Sequence, residues 1–482
     1  MTDELRGYLE KNGMYPTPEE KKEREKAISY LNEVVEKWGK KIYISKTGTS
    51  ENTDVCAAKI FTYGSYRLDV YGNNADIDAC VVTNSTIERE DFFNDLYEDL
   101  KNNPDVREIR QIKSVRAPIL TMTYMKIDID LNFARTAHTT LPKEMDILSE
   151  RILDEMDELS TRAINGRRNT DMINNFVPPH SVEAFKVIVR AIKMWSKKRG
   201  IYGYVYSYLN GISIEILVAQ VISENYQLDN VRLLEKFFHA YATWDWARNP
   251  VMLGVSDDRP ERKKEEMVQV ITPAAPRENS MYNMTRSSLE LLKREMLRGE
   301  RIVKGYKSEG GNDWNLLFKK RHCFCGYYIF VEFSVRGSLE SLENKIGMFE
   351  SKIVRFVRSL EEMEEVIEVN VIPEGYLEVE NAVDYYYVGM NVKKDLLVDV
   401  SAPLNAFLED VNKGKEFVVD ALIKKRSEIS VKCTHKALSK TERVELQKVV
   451  EERKVKLQEM SKEQIDIITK DKEEVVGDGK KV

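Results

Sequence analysis

Residues 61–82 read FTYGSYRLDVYGNNADIDACVV, and the interpretation of the chain starts from this stretch. Two acidic residues, Asp76 and Asp78, occupy alternate positions at the start of an apolar run. Alternate side chains of a β-strand point to the same face, so we expect the two carboxylates to lie close together. Carboxylate oxygens are hard ligands that select Mg²⁺ or Mn²⁺ rather than zinc. The stretch therefore predicts a strand that carries part of a divalent-metal site.

A second acidic segment follows at residues 126–135, KIDIDLNFAR, in which charged and apolar residues alternate. Two metal ions held roughly 3.5 to 4 Å apart need a further carboxylate beyond the first pair. Asp128 and Asp130 fall on one face of this predicted strand, so spacing alone does not choose between them. The segment predicts a neighbouring strand that completes the metal site.

Gly64 and Ser65 precede the acidic pair, and Asp76 comes eleven residues after Ser65. Glycine lets the backbone approach a phosphate closely, and the amides that open a helix, together with the Ser65 hydroxyl, can bind β- and γ-phosphates. Gly-Ser alone is usually a turn, and Asp-x-Asp alone is common. The turn, the acidic pair and a second acidic strand together form a much rarer combination, which predicts a nucleotide and metal site.

The composition limits the class of protein. A length of 482 residues predicts about three domains, and 42% hydrophobic with 32% charged residues excludes wholesale disorder. No window approaches the roughly 18 to 20 apolar residues that cross a bilayer, and the acidic N-terminus does not resemble a secretory signal. We therefore expect an intracellular protein that does not associate with membranes.

The five cysteines are scattered, which favours free thiols over disulfides. A zinc site is the alternative, with ligands from residues 322–325 (HCFC) and from Cys433 and His435. The usual two-residue spacing of zinc ligands is absent from both segments, so ordinary core or surface positions are favoured.

The net charge of −6 argues against indiscriminate binding of nucleic acid, although local basic clusters occur. They lie at Lys197–Arg199, Lys319–Arg321 and Lys424–Arg426. Each is a solvated surface patch or a phosphate contact, and its position relative to the metal site decides between these interpretations.

The element pattern predicts an α+β multidomain protein. Residues 1–176 are a mixed α/β catalytic domain, with a helix from the Thr17 cap to about Trp38. Residues 177–318 are a mostly helical middle domain. Residues 319–470 follow a β-α-β-β-α order of the ferredoxin-like or RRM-like type and end in a helix, and residues 471–482 are a flexible tail. The predicted strands are 80–82, 119–124, 127–133, 327–334, 366–372 and 385–392, and the later helices are 185–195, 213–223, 287–298, 338–362, 405–413 and 436–470.

The Gly64-Ser65 turn, the Asp76 and Asp78 pair and the second acidic strand together resemble the DNA polymerase β-like nucleotidyltransferase superfamily. Within that superfamily, the sequence resembles the nuclear eukaryotic type of poly(A) polymerase. The resemblance covers about residues 15–440 and follows the order of that family. It rests on residues 61–82 and on the stretches IDLNFAR (129–135), AINGRRNTDMI (163–173), FKVIVRAIKMWSKKRGIY (185–202), ITPAAPRENSMYN (271–283) and GMFESKIVRFVRSLE (347–361).

The resemblance implies a role for individual residues. It makes Asp130 the third metal ligand beside Asp76 and Asp78, and it leaves Asp128 as an accessory charge or a solvated one. It places Asn165 at the sugar of the incoming nucleotide. The further nucleotide contacts that it implies are Phe61, Gly64 and Ser65, then Lys193 and Tyr202 at the triphosphate, and Gly211 and Ile212 at the adenine.

The resemblance also implies an activity, the template-independent addition of AMP from ATP to the 3′ end of RNA with two Mg²⁺ or Mn²⁺ ions. Lys319, Lys320 and Arg321 are the expected RNA contacts. We expect a monomer in the nucleus that 3′-end processing proteins recruit. The alternatives are a terminal uridylyltransferase or other nucleotidyltransferase, and an inactive RNA-binding scaffold, which would have no need for the three carboxylates, Gly64-Ser65 and Lys193 together.

Overall fold

The computed structural model describes residues 2–50, 53–113, 117–154, 156–254, 259–308, 314–336, 339–378, 383–393, 398–413 and 418–429. The chain divides into two compact units, one formed by Met1–Tyr204 with Tyr208–Arg321, and the other by Val205–Ser207 with His322–Val482. None of the helices in the described residues has the length and apolar character that a bilayer crossing needs. The α+β class is confirmed, while the division into three domains stays a prediction.

The first unit is built around one five-stranded sheet. Its strands are β1 (Ala58–Tyr63), β2 (Ile77–Thr83), β3 (Val106–Ile112), β4 (Ile119–Tyr124) and β5 (Ile127–Arg135). They lie in the order β1-β2-β5-β4-β3, and β2 and β5 run parallel whereas the other neighbours are antiparallel. The two acidic segments are therefore adjacent central strands, as the alternation predicts.

The labelled helices of this unit surround the sheet and extend beyond it. They are α1 (Thr2–Lys11), α2 (Pro18–Thr47), α3 (Gly64–Arg67), α4 (Glu158–Phe176), α5 (Val182–Lys198), α6 (Gly211–Glu224), α7 (Asn230–Thr243) and α8 (Arg286–Ser308). Short helical turns at 89–91, 92–96, 97–101, 150–153, 179–181 and 314–317 also belong to this unit, and the turn at 204–206 contains residues of both units.

Helix α2 begins as predicted and ends later than predicted. The Glu20 amide donates to Thr17 Oγ1 at 3.1 Å, and the Thr17 amide donates to Glu20 Oε2 at 2.7 Å, which completes the capping box. The helix continues past Trp38 because Ile42 is also buried against the sheet, and it stops at Gly48, whose φ is 68°.

Helices α2 and α4 cover opposite faces of the sheet. Ile77, Ala79 and Val81 pack in the core that contains α2, whereas Cys80 and Val82 pack in the cluster that contains α4. Because strand side chains alternate, the even-numbered residues of β2 belong to the α4 face. The carboxylate of Asp78 is therefore directed away from the main core.

The second unit contains an antiparallel sheet in the order β10-β6-β9-β7, with β8 paired to β9. Its strands are β6 (Ile329–Arg336), β7 (Val366–Val371), β8 (Tyr376–Glu378), β9 (Val383–Val392) and β10 (Val418–Lys425). Helices α9 (Leu339–Glu361) and α10 (Ser401–Val411) pack on one face through Phe333, Phe349 and Phe407. Strands β6 and β7 both pair with β9 and lie on either side of it. The ferredoxin-like or RRM-like classification stays a prediction, and the expected helix 436–470 and tail 471–482 lie outside the described residues.

Part of the opposite face of this second sheet is covered by the unit's own side chains. Phe330 and Tyr387 of the sheet are buried in a cluster with Cys323, Tyr327 and Tyr376, and Phe324 packs against it. The rings of Phe330 and Tyr387 are consequently not available as open stacking surfaces.

Candidate active site

Three carboxylates meet on the α4 face of the first sheet. Asp76, Asp78 and Asp130 each offer a carboxylate oxygen within 4.8 Å of the others. Asp78 and Asp130 are register partners on the parallel strands β2 and β5, and Asp76 directly precedes β2. The sequence pattern predicted the pair on β2, and the register places Asp130 beside it.

The electrostatics of this cluster fit a divalent cation. Burial, followed by the neighbouring charges of Asp76 and Asp130, raises the pKa of Asp78 to about 7. A bound cation would offset this mutual repulsion, and an all-carboxylate donor set suits Mg²⁺ or Mn²⁺. The three residues could therefore hold metal ions.

Asp128 lies on the same strand but has a different environment. Its Oδ1 accepts a hydrogen bond from Thr123 Oγ1 at 2.8 Å, across the β4–β5 pair. It does not belong to the group of three carboxylates. The geometry thus separates the two acidic residues that spacing alone left equivalent.

Gly64 and Ser65 begin α3 directly after β1. Gly64 has φ of +62°, and a Cβ at this position would lie 3.0 Å from Asp78 Oδ2, so glycine is needed for both the backbone conformation and the close approach. Its amide donates to Thr170 Oγ1 at 2.9 Å. Of the amides expected to bind phosphate, that of Gly64 is thus already engaged by α4.

Tyr63 links β5 and α4 next to the carboxylates. Its hydroxyl accepts from Asn132 Nδ2 at 3.0 Å, and its ring lies against Gly166 of α4. Burial raises the pKa of Tyr63 well above its ordinary value, so its hydroxyl stays neutral beside the carboxylates. Tyr63 and Asn132 are not among the site residues predicted from the sequence.

Lys193 and Tyr202 lie in the electrostatic surroundings of the carboxylates. Lys193 of α5 counteracts the rise in the pKa of Asp78. Burial, followed by the charge of Glu215, raises the pKa of Tyr202 well above its ordinary value, so its hydroxyl remains a donor. A cation and a hydroxyl donor of this kind suit a triphosphate.

Gly211 and Ile212 form the first turn of α6, whose N-cap Asn210 accepts from the Ser213 amide at 2.9 Å. A Cβ on Gly211 would lie 3.9 Å from the Tyr202 hydroxyl. The two predicted nucleotide contacts, Tyr202 and Gly211, therefore lie together.

Asn165 and Phe61 lie on the α4 side of the sheet. The side-chain amide of Asn165 donates to the Pro276 carbonyl at 3.3 Å, while its Oδ1 is buried without a hydrogen-bond partner. That oxygen could accept a hydrogen bond from a sugar hydroxyl. The guanidinium of Arg167 lies 5.5 Å from the centroid of the Phe61 ring.

Glu215 is a further acidic residue near the site, and it was not predicted from the sequence. It is 5% exposed on α6, and its Oε1 would lie 3.9 Å from a Cβ on Gly211. Burial raises the pKa of Glu215 to about 7 despite the opposing charge of Lys193. The signal was the single charge in the apolar run GISIEILVAQV, residues 211–221.

The basic residues Lys319, Lys320 and Arg321 end the first unit. The Arg321 amide donates to the Lys198 carbonyl at 2.9 Å, and Arg199 donates to the Lys319 carbonyl at 2.7 Å. Two of the three basic clusters of the sequence therefore form one patch, on which Lys319 and Lys320 are exposed.

The suggested zinc ligands are only partly described. Cys323 is buried, and Cys325 is exposed and contacts the guanidinium of Arg426 at 3.3 Å. Cys433 and His435 lie outside the described residues.

Comparison with known proteins gives the family. The model of the poly(A) polymerase nucleotidyltransferase domain matches residues 1–177, and that of the poly(A) polymerase central domain matches residues 184–320. A poly(A) polymerase of Entamoeba histolytica is 61% identical over 436 residues, which are 90% of this chain and 84% of that protein. The chain belongs to the poly(A) polymerase family. The predicted family and enzyme class are thereby confirmed.

Other poly(A) polymerases are more distant. The poly(A) polymerase of Dictyostelium discoideum is 33% identical over 78% of this chain, and Nuclear poly(A) polymerase 1 of Arabidopsis thaliana is 30% identical over 82%. The chain spans only 47% and 56% of these two relatives. A structure of Cid1 in complex with its short product ApU aligns over 66% of this chain and 98% of that chain, with 14% identity and a TM-score of 0.47.

Proposed function

We propose that this protein adds AMP from ATP to the 3′ end of RNA without a template, in a reaction that uses two Mg²⁺ or Mn²⁺ ions. The observation that carries the proposal is the group of three carboxylates within 4.8 Å, next to the Gly64-Ser65 turn. Membership of the poly(A) polymerase family supports adenylate as the added group and RNA as the acceptor.

Asp76, Asp78 and Asp130 would hold the ions, with Asp130 on the side of the RNA 3′ hydroxyl. Bound ions lower the pKa of that hydroxyl and offset the charge of the triphosphate during in-line attack on the α-phosphorus. Burial and like charge raise the pKa of Asp78, so this carboxyl must lose its proton before it can act as a ligand.

The remaining residues bind and orient the nucleotide. Lys193 supplies a compact positive charge for the triphosphate, and the protonated hydroxyl of Tyr202 donates to it. The unpartnered Oδ1 of Asn165 accepts from the sugar. Gly211 and Ile212 contact the base at the start of α6, and Phe61 and Ser65 complete the nucleotide site.

We extend the proposal to RNA contact by Lys319, Lys320 and Arg321, and to action in the nucleus with 3′-end processing proteins. The exposed lysines support the first part. The Arabidopsis relative, whose name is Nuclear poly(A) polymerase 1, supports the second.

The test is an extension assay with purified protein, a short RNA, Mg²⁺ and each of the four nucleotides in turn. We expect extension with ATP, and loss of at least about 100-fold in Asp76→Ala, Asp78→Ala and Asp130→Ala, because each removes a ligand worth several kcal/mol of charge stabilisation. Asp128→Ala is the matched control for Asp130→Ala, because both residues lie on β5, and it should remain active.

Thermal unfolding of each variant checks that the fold is intact. Wild-type extension rates in Asp76→Ala or Asp78→Ala would refute the metal site. Faster extension with UTP than with ATP would instead identify a uridylyltransferase, and absence of extension with every nucleotide would favour an inactive scaffold.

A further inference from the structure

Asp76 differs from the other two carboxylates in how its backbone is held. Asp78 and Asp130 are paired residues inside the strand ladder, whereas Asp76 lies before the first residue of β2. The loop from Leu68 to Ala75 that leads to it has no helix or strand. Another contact must therefore fix the position of this ligand.

Arg24 of α2 makes that contact. Its Nη2 donates to the carbonyl oxygen of Ala75, the residue directly before Asp76, at 2.6 Å. Its guanidinium also lies 5.2 Å from the centroid of the Tyr71 ring in the same loop. The side chain is only 3% exposed, so both contacts are sheltered from water.

Arg24 is costly to bury in this environment. No carboxylate forms an ion pair with it within the part of the chain that the structure describes, and its Nε is buried without a hydrogen-bond partner. A buried cation without a counter-ion is destabilising, and an apolar side chain of similar volume would fill the space at lower cost. Packing alone therefore does not account for an arginine at this position.

The rest of the loop is held by the segment that precedes α2. The Asn73 amide donates to the Gly13 carbonyl at 3.0 Å. A Cβ on Gly72 would lie 2.8 Å from that same carbonyl oxygen, so the two backbones are in close contact. Arg24 thus fixes the last residue of a loop whose middle is already held.

We propose that Arg24 is a positioning residue that holds the Ala75 carbonyl so that the Asp76 carboxylate stays within reach of the metal ions. The inference rests on the proposed function, because it assigns metal binding to Asp76. Arg24 touches neither ion nor nucleotide in this role and acts through the backbone of the loop.

The experiment compares Arg24→Met and Arg24→Lys with Lys26→Met, which removes an exposed cation from the same helix. Direct Mn²⁺ binding is measured by electron paramagnetic resonance without ATP or RNA. The Mg²⁺ concentration that gives half-maximal extension and the thermal unfolding midpoint are measured in parallel.

We expect Arg24→Met to weaken Mn²⁺ binding about 10-fold to 100-fold, as for residues that orient metal ligands, and to shift the half-maximal Mg²⁺ concentration upward. High Mg²⁺ should restore much of its extension rate. Arg24→Lys keeps one donor and should be intermediate, and it provides a second variant should Arg24→Met fail to fold. Lys26→Met should match the wild type.

Unchanged Mn²⁺ binding in folded Arg24→Met or Arg24→Lys would overturn the inference, even if the unfolding midpoint fell, because that pattern indicates packing alone. Asp76→Ala separates this failure from failure of the proposed function. Loss of Mn²⁺ binding in Asp76→Ala but not in the Arg24 variants sinks only the inference, whereas unchanged binding in Asp76→Ala sinks the metal site itself.

Discussion

Glu215 shows at the scale of one residue that the site is built at the expense of stability. A carboxyl group that is 5% exposed, without a hydrogen bond or ion pair in the described part of the chain, is costly to ionise. Its pKa of about 7 reflects that cost. The protein therefore carries a buried acid next to a region that we assign to an anionic triphosphate.

The pH dependence of stability follows from this pKa. The folded pKa of about 7 lies above the ordinary value of 4.5, so the folded state binds the proton more tightly and stability falls as the pH rises between these values. We expect the wild type to lose roughly 2 to 3 kcal/mol more than Glu215→Gln between pH 5 and pH 8. Urea unfolding of both proteins at the two pH values, without metal, measures this difference. If the free energies of unfolding of the two proteins differed by the same amount at pH 5 and pH 8, the raised pKa of Glu215 would be contradicted.

Helix α4 shows at the scale of one element how packing positions the catalytic face. A Cβ on Gly166 would lie 2.7 Å from Cε2 of Tyr63, whose hydroxyl also accepts from Asn132 on β5. The glycine lets the helix approach the sheet closely. The spacing between α4 and the strands that carry the carboxylates therefore depends on the absence of a side chain at Gly166.

Gly166→Ala should consequently destabilise the protein. Overpacking costs typically 1 to 3 kcal/mol, which exceeds the gain of about 1 kcal/mol from replacing glycine by alanine in a helix. We expect a net loss of roughly 1 kcal/mol by chemical denaturation. Gly305→Ala on α8 is the control, because a Cβ there meets no atom within 4 Å, and it should be neutral or slightly stabilising. Equal effects of the two substitutions would show that the contact with Tyr63 is not tight.

Elements differ in how much of them the sequence reveals. The strand β4 was predicted with its observed bounds, and β2, β5 and α2 were predicted with shorter ones. Helix α4 was missed because it buries Arg168, Asn169 and Thr170, which disrupt the apolar period. Arg168 is buried because it donates to the carbonyls of Ile147 and Ser149 at 2.6 and 2.8 Å, partners that sequence periodicity does not reveal.

Several other elements were not predicted from the apolar pattern, among them α1, β1, β3, α7 and β10. Helix α7 was not assigned, although its apolar residues are buried. Strand β10 was interpreted as a basic cluster because its exposed residues fall on both faces, including Leu422 and Ile423. Edge strands of this kind carry a weak alternation signal.

At the scale of the whole molecule, local motifs predicted the group of carboxylates, whereas the residues that only the tertiary structure brings next to it were not predicted. Asp76 and Asp78 follow from strand alternation alone. Arg24 and Glu215 reach the site from distant positions in the chain, and no spacing rule connects them to it. The choice between Asp128 and Asp130 needed the family resemblance first and the strand register afterwards.

The second unit, which we predict to bind RNA, has part of its sheet closed to base stacking. The face of its sheet with Phe330 and Tyr387 is covered by Cys323, Tyr327 and Tyr376, so base stacking on these aromatics is blocked. RNA contact through phosphates is the expected alternative. The exposed Lys319 and Lys320 of the first unit are suited to that role.

Replacing Lys319 and Lys320 with alanine should weaken RNA binding to a similar extent for different sequences. The slope of log affinity against log salt should decrease by about 1 for each phosphate that the protein no longer neutralises. Binding of several short RNAs over a range of salt concentrations measures both effects, with Lys26→Met as the control. An unchanged slope, or weaker binding confined to one sequence, would argue against phosphate binding at this patch.

The parallel register of Asp78 with Asp130 links catalytic competence to correct folding. Displacing β5 by one residue would turn Asp130 toward the hydrophobic interior and bring Ile129 or Leu131 beside Asp78, because neighbouring side chains face opposite ways. Such a misaligned chain would be unstable and inert for the same reason. A cell that degrades poorly packed copies of this enzyme would thereby also remove the inactive ones, without any separate means of detecting lost activity.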